Sequence, residues 1–278
     1  MTSADLDGTI RTAGTLLFVP ADRPERFAKA AAAGADLVIL DLEDAVAPEN
    51  KEAARANAAA WASEHPCAVR INAADTPWYV ADVADAAPTG CAIVQPKAQD
   101  PVQLATLATA LGPDAAIVAL VETARGVLEA PRLANVTGVV RLALGSFDLG
   151  AEIDVDPVDR EALLPTRGAL VLASAAAGLP GPVDGVTAAL DDPALLTDET
   201  AYARRLGFAG KLCIHPKQLG PVAAALRPSD ADVAWAESVV AAVAAAGDGV
   251  ANVDGTMVDK PVVDRARRIL ARIANHQN

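Results

Sequence analysis

Histidine, cysteine and aromatic residues are all scarce in this sequence, and each scarcity argues against a class of chemistry. The three histidines, His65, His215 and His276, are too scattered for a zinc centre. No Ser–His arrangement has the context of a nucleophile elbow, which argues against hydrolysis of that kind. The three cysteines, Cys67, Cys91 and Cys213, each lie in or beside an apolar run, so buried free thiols are expected rather than disulfides or a metal knot. Aromatic residues supply 3% of a chain that is 52% hydrophobic, so Ala, Val, Leu and Ile must fill the core, as suits parallel strands sheathed in helices. Positive charge is short too: a net charge of −13 opposes nucleic-acid binding and gives no attraction to anionic lipid. A small-molecule ligand is expected, and an anionic one must be met by locally placed Arg and Lys. No apolar run reaches membrane length, and the opening MTSADLDGTIRTAG has neither a cationic start nor an apolar core, so a cytoplasmic protein is expected.

What the sequence does have is strict alternation. Compact apolar runs with turn residues at their flanks mark eight strands, at 15–20, 37–41, 68–72, 91–96, 116–122, 139–145, 182–186 and 211–216, the seventh being the weakest. Between them lie helical stretches at 24–33, 51–64, 78–87, 101–111, 126–134, 161–177 and 199–206. Parallel pairing needs a crossover after each strand, so the pattern predicts an α/β fold, a (β/α)8 TIM barrel, within 278 residues. Residues 1–222 form the expected barrel domain, and 223–278 a helical arm with stretches at 231–246 and 261–275. The Gly- and Asp-rich segment between those two stretches reads either as a lid loop or as a surface connection.

Barrel active sites gather at the carboxyl ends of the strands, and the residues there form a chemical set. Strand two ends in Asp41, Glu43 and Asp44, strand three in Arg70 and Asn72, strand four in Gln95 and Lys97, strand five in Glu122, strand six in Ser146 and Asp148, strand eight in His215. Carboxylates crowded on one face repel unless a cation sits among them. Magnesium needs only one or two protein carboxylates, and Glu122 with Asp148 could be that pair; the alternative is that both acids merely open the next helices. Glu43 and Asp44 either pair with Lys51 or Arg55, or help to hold the waters of an ion. Arg70 reads as a bidentate clamp for a carboxylate. Lys97 reads as a salt-bridge partner or a Schiff-base lysine, and His215 as a structural hydrogen-bonder. Arg23 and Arg26, on the turn into the first helix, either attract a phosphate or pair with Asp22 and Glu25.

The segments LLFVPADRPERF, GADLVILDLEDAVAP, VRINAADTPW, VQPKAQ, LVETARGVL, RLALGSFDLG and GFAGKLCIHPKQ, with VDGTMVDKP near the carboxyl end, resemble in order the citrate lyase β-subunit-like branch of the HpcH/HpaI aldolase family. The resemblance covers nearly the whole chain. It implies a homotrimeric, magnesium-dependent (or manganese-dependent) carbon–carbon lyase, or reverse synthase, acting on a citryl-, malyl- or citramalyl-type coenzyme A thioester. It leaves two alternatives open: an aldolase on free 2-oxoacid adducts, and an acyl-carrier-dependent subunit of a larger lyase. By the same resemblance Glu122 and Asp148 hold the metal, Arg70 clamps substrate, Arg23 and Arg26 meet the coenzyme A phosphates, and Asp259 acts as acid or base. Glu43 and Asp44 complete the candidate catalytic set. The sequence departs from the family pattern at Ala21, where a glycine is usual.

Overall fold

The computed structural model describes residues 3–246, 251–253 and 256–274. Eight parallel strands run in sequence order around a closed barrel: β1 (Thr15–Pro20), β2 (Leu37–Asp41), β3 (Ala68–Arg70), β4 (Ala92–Gln95), β5 (Ile117–Val121), β6 (Val139–Leu144), β7 (Val183–Asp184) and β8 (Gly210–Cys213). The expected TIM barrel is therefore present, and its weakest predicted strand is its shortest. Closure comes from β1 against β8, with Leu16 opposite Leu212. Strands such as LVILD and IVALV are buried at every position, because one face looks into the barrel and the other is covered by helices.

The helices are α1 (Ser3–Thr12), α2 (Phe27–Ala31), α3 (Lys51–Ala62), α4 (Tyr79–Ala86), α5 (Pro101–Leu111), α6 (Ala124–Ala134), α7 (Ser146–Glu152), α8 (Leu164–Ala176), α9 (Pro193–Leu206) and α10 (Leu219–Leu226). Their starts are chemically marked: Asp100, Thr123 and Asp192 each accept a hydrogen bond from an N–H in the first turn of α5, α6 and α9. α9 begins six residues before the stretch expected from sequence, at the Asp192–Pro193 cap. α1 was not expected at all. Its Leu6 and Ile10, with Ala13 after it, join one apolar cluster that draws on all eight strands, so this helix stops the amino-terminal end of the barrel. Arg141 of β6 ties it there, donating from Nη1 to the carbonyls of Ile10 at 2.8 Å and Ala13 at 2.5 Å, and from Nε to Gly181 at 3.1 Å.

The chain divides into two compact units, Met1–Ala223 and Ala224–Asn278. In the second, α11 (Asp230–Ala246) and α12 (Lys260–Ala274) pack through Ala236, Val239 and Ala266. Between them β9 (Ala251–Val253) pairs antiparallel with β10 (Thr256–Val258), where a loop was expected. His276 lies outside the described residues. Among the described residues no helix is long and apolar enough to cross a membrane, and Cys67, Cys91 and Cys213 are free thiols.

Candidate active site

A cavity of about 370 Å³ opens at the carboxyl ends of the strands, lined among others by Phe18, Asp41, Asp44, Arg70, Glu122 and Asp148. Two other cavities, bordered by residues 62–67 with 89–91 and by residues 105–115 with 136–140, each hold one carboxylate among their described lining, and a third, of about 10 Å³, is too small for a ligand and its Asp82 and Asp85 are paired with Arg55. The convergence of charge therefore belongs to the first.

Asp41, the last residue of β2, organises one side of it. Its carboxylate accepts from Arg70 Nε and Nη2, both at 2.7 Å, and from the Glu43 N–H at 2.9 Å. The fork that the sequence assigned to a substrate carboxylate is thus held by Asp41. What remains of the guanidinium, Nη1, lies 3.0 Å from Glu43 Oε2 and 3.2 Å from Asp44 Oδ2, and the group stacks over Phe18 at 4.8 Å. Burial opposes the charge on Arg70, and Asp41, Glu43 and Asp44 more than offset it, so its pKa is raised. Glu43 Oε2 is near Nη1 yet makes no hydrogen bond. Burial pushes Glu43 up to about 8, against the pull of Arg70, so this carboxyl holds a proton near neutrality.

The loop after β2 is fixed from beneath. Lys51 Nζ donates to the carbonyls of Leu42 at 2.6 Å and Glu43 at 2.7 Å, and to Asn72 Oδ1 at 2.7 Å. Asn72 in turn donates from its side chain to Asp82 at 2.6 Å. Arg55 faces Asp82 and Asp85. The pairing of Glu43 and Asp44 with Lys51 or Arg55, open from sequence, is therefore replaced by Arg70: the lysine is committed to carbonyls and the arginine to acids of α4.

Across β5 and β6 stand the two acids read as metal ligands. Glu122 is 3% exposed and lies before Thr123, the cap of α6, so it is outside that helix's first turn and the helix-start reading fails for it. Its Oε1 accepts the Lys97 N–H at 2.8 Å. Lys97 adopts φ 48°, a left-handed conformation costly for a side-chain-bearing residue, which aims that N–H at the carboxylate. A Cβ on Gly145 would come within 2.3 Å of Glu122 Oε2, so only glycine lets β6 end so close. Asp148 lies in the first turn of α7, exposed, and also lines the cavity. Burial pushes Glu122 up to about 7; the Lys97 N–H opposes this, and Asp148 adds to it.

This donor set fits magnesium. Two carboxylates from adjacent strand ends face one space, one buried and held by a backbone N–H, the other exposed, leaving room for the waters and ligand oxygens a hard dication retains. Among the described residues no group of three or more His, Cys, Asp or Glu is placed to hold a metal ion.

Arg23, Arg26, Lys97 and His215, in the first unit, are not among the residues that line this cavity. Arg23 and Arg26 are exposed beside the first short turn, 3.8 Å from Asp22 and 3.9 Å from Glu25. The Lys97 side chain is exposed, without the apolar enclosure a Schiff-base lysine needs. His215 accepts the Lys217 N–H at 3.1 Å as a helix cap. Ala21 is buried and donates its N–H to Asp41 O at 2.9 Å. Asp259 belongs to the second unit, where its carboxylate accepts the Val262 N–H at 3.2 Å at the start of α12.

Comparison with known proteins places this geometry among relatives. The model of the HpcH/HpaI aldolase/citrate lyase family matches residues 14–216. A (3S)-malyl-CoA thioesterase of Cereibacter sphaeroides is 36% identical over 268 residues, 93% of each chain. The CitE protein of Mycobacterium tuberculosis, solved with magnesium, acetoacetate and coenzyme A, superposes with a TM-score of 0.82 at 38% identity, covering 95% of this chain and 99% of that one. A citrate lyase β subunit from the same organism, solved with oxaloacetate and magnesium, has a TM-score of 0.68 at 37% identity, covering 79% of this chain and 100% of that one.

Proposed function

Because this chain belongs to the HpcH/HpaI aldolase/citrate lyase family, we propose that it is a magnesium-dependent carbon–carbon lyase, or the reverse synthase. It acts on a short 3-hydroxy-3-carboxyacyl-CoA thioester and releases acetyl-CoA or a homologue together with a 2-oxoacid. The observation that carries this reading is the convergence of Glu122 and Asp148 on one cavity beside Arg70. Magnesium held by those two acids supplies Lewis acidity for the developing carbonyl when bound. Arg70, locked by Asp41, holds a fixed positive charge against the substrate through Nη1. Arg23 and Arg26 take the coenzyme A phosphates at the rim.

As the carbon–carbon bond breaks, the 3-hydroxyl gives up its proton to solvent and becomes the 2-oxoacid carbonyl, and the acyl thioester is left as an enolate that needs a proton at its α carbon. Asp259 supplies it in cleavage and removes it in condensation. Glu43, protonated near neutrality, and Asp44 keep the Arg70 side of the cavity in register. We propose a homotrimer, as the family resemblance implies, in which Asp259 of one subunit serves a neighbour, with small molecules as the remaining partners.

The test is a panel of glyoxylate, pyruvate and oxaloacetate with acetyl-CoA or propionyl-CoA, with and without EDTA. Metal-dependent turnover is expected with at least one pair, and Glu122→Ala or Asp148→Ala should abolish it. Undiminished rates in either variant overturn the ligand assignment.

A further inference from the structure

The cavity has two unlike walls. Its acids, and the one cation among the described residues that line it, stand on the side built by β2, β3, β5 and the start of α7: Asp41, Asp44, Arg70, Glu122 and Asp148. Across the barrel, β7 and β8 present Val186, Leu212 and Ile214, whose side chains offer neither charge nor a hydrogen bond, while Phe18 of β1 stands between the two walls with Arg70 stacked on its ring. Leu120 and Leu144 extend that apolar surface.

The charged wall has room for one substrate carboxylate. The pair Glu122 and Asp148 implies a single dication; two of the three Arg70 nitrogens already bind Asp41, and the third, Nη1, is shared with Glu43 and Asp44. A second carboxylate would lie against Val186, Leu212 and Ile214 without a partner, or crowd the four acids already lining the cavity; either is unfavourable, and the Ser146 hydroxyl is the one neutral side-chain donor among the described lining residues. A short alkyl group would instead be buried among apolar side chains.

We propose that the 2-oxoacid half of the substrate carries one carboxylate and a small apolar substituent, the class of pyruvate and 2-oxobutyrate, rather than a second carboxylate. This rests on the lyase reading above and narrows it. The solved relatives hold mono- and dicarboxylic acids alike, so likeness leaves the choice open and the apolar wall decides it.

Calorimetric titration of the full chain with pyruvate, 2-oxobutyrate and freshly dissolved oxaloacetate, with and without magnesium, tests this independently of turnover. Magnesium-dependent binding is expected, with the two monocarboxylic acids at least about tenfold tighter than oxaloacetate, the scale of discrimination a pocket contact supplies. Ile214→Arg, at a partly exposed lining position, places a cation on the apolar wall and should narrow that gap at least about fivefold, as a charge-assisted partner would. Oxaloacetate binding as tightly as pyruvate, or a gap that Ile214→Arg leaves unchanged, overturns the inference. The expected order without turnover of any coenzyme A pair upholds this inference and sinks the lyase reading. No magnesium-dependent binding of any of the three acids sinks both.

Discussion

At Glu122 three separate parts of the chain cooperate on one carboxylate: the N–H of Lys97, the missing side chain of Gly145 and the charge of Asp148. Burial raises the Glu122 pKa to about 7 in the folded state from 4.5 for the free group, with Asp148 adding to the rise and the Lys97 N–H opposing it. Between those values the folded chain binds more protons than the unfolded one, so this group's contribution to stability falls as pH rises. A bound dication takes the proton's place. Saturating magnesium should therefore raise the melting temperature more near about pH 8 than near about pH 5, a difference that differential scanning fluorimetry reads directly. Equal shifts at both values would mean that the ion does not compete for this carboxyl. Glu122, Asp148 and Arg70 were legible in the sequence because each ends a strand or follows one, and a parallel barrel brings all such positions together. Asp41 was visible as an acid, but its use was not: it meets Arg70 at 29 residues' separation, and no local pattern shows that a charge is already spoken for.

Lys51 shows the same limit at the level of an element. By sequence it is a cation at the start of α3, close to two acids; in the fold it is a three-way tie from that helix to the loop after β2 and to Asn72. Lys51→Met keeps the length of the side chain and leaves two carbonyls and an amide oxygen without their donor. It should cost roughly 2–4 kcal/mol in urea denaturation and raise the KM for the 2-oxoacid by loosening the loop that carries Glu43 and Asp44. A loss below about 0.5 kcal/mol, the size of an ordinary surface substitution, would show the tie to be idle. Among the elements themselves the eight strands were legible because buried parallel strands are unbroken apolar runs. α1 was missed because only Leu6 and Ile10 mark its buried side, and α7 because a seven-residue helix with an internal glycine, SFDLGAE, carries little periodic signal. The β9–β10 pairing was missed although Asp254-Gly255, which lie outside the described residues, form a dipeptide typical of two-residue hairpins.

Across the whole molecule, the proposed chemistry is shared between units: metal and clamp in the first, the proton donor in the second. Asp259→Asn should therefore leave magnesium and 2-oxoacid binding unchanged by calorimetry while lowering kcat by about 10²–10⁴, the usual range for losing a general acid or base. An unchanged kcat would remove Asp259 from the mechanism. The barrel was legible as a count of alternating elements, but the stopper at its base was not, since Arg141 reaches Ile10 across 131 residues. That span carries a consequence for synthesis. The chain leaves the ribosome amino end first, so α1 waits for Arg141, and β1 waits for the residues around Leu212 that complete its pairing. Until then the nascent polypeptide shows an open strand edge and an apolar helix face, the surfaces on which premature association begins. Productive folding is thus a late event for this protein, and the last rung translated is the one that shelters the first.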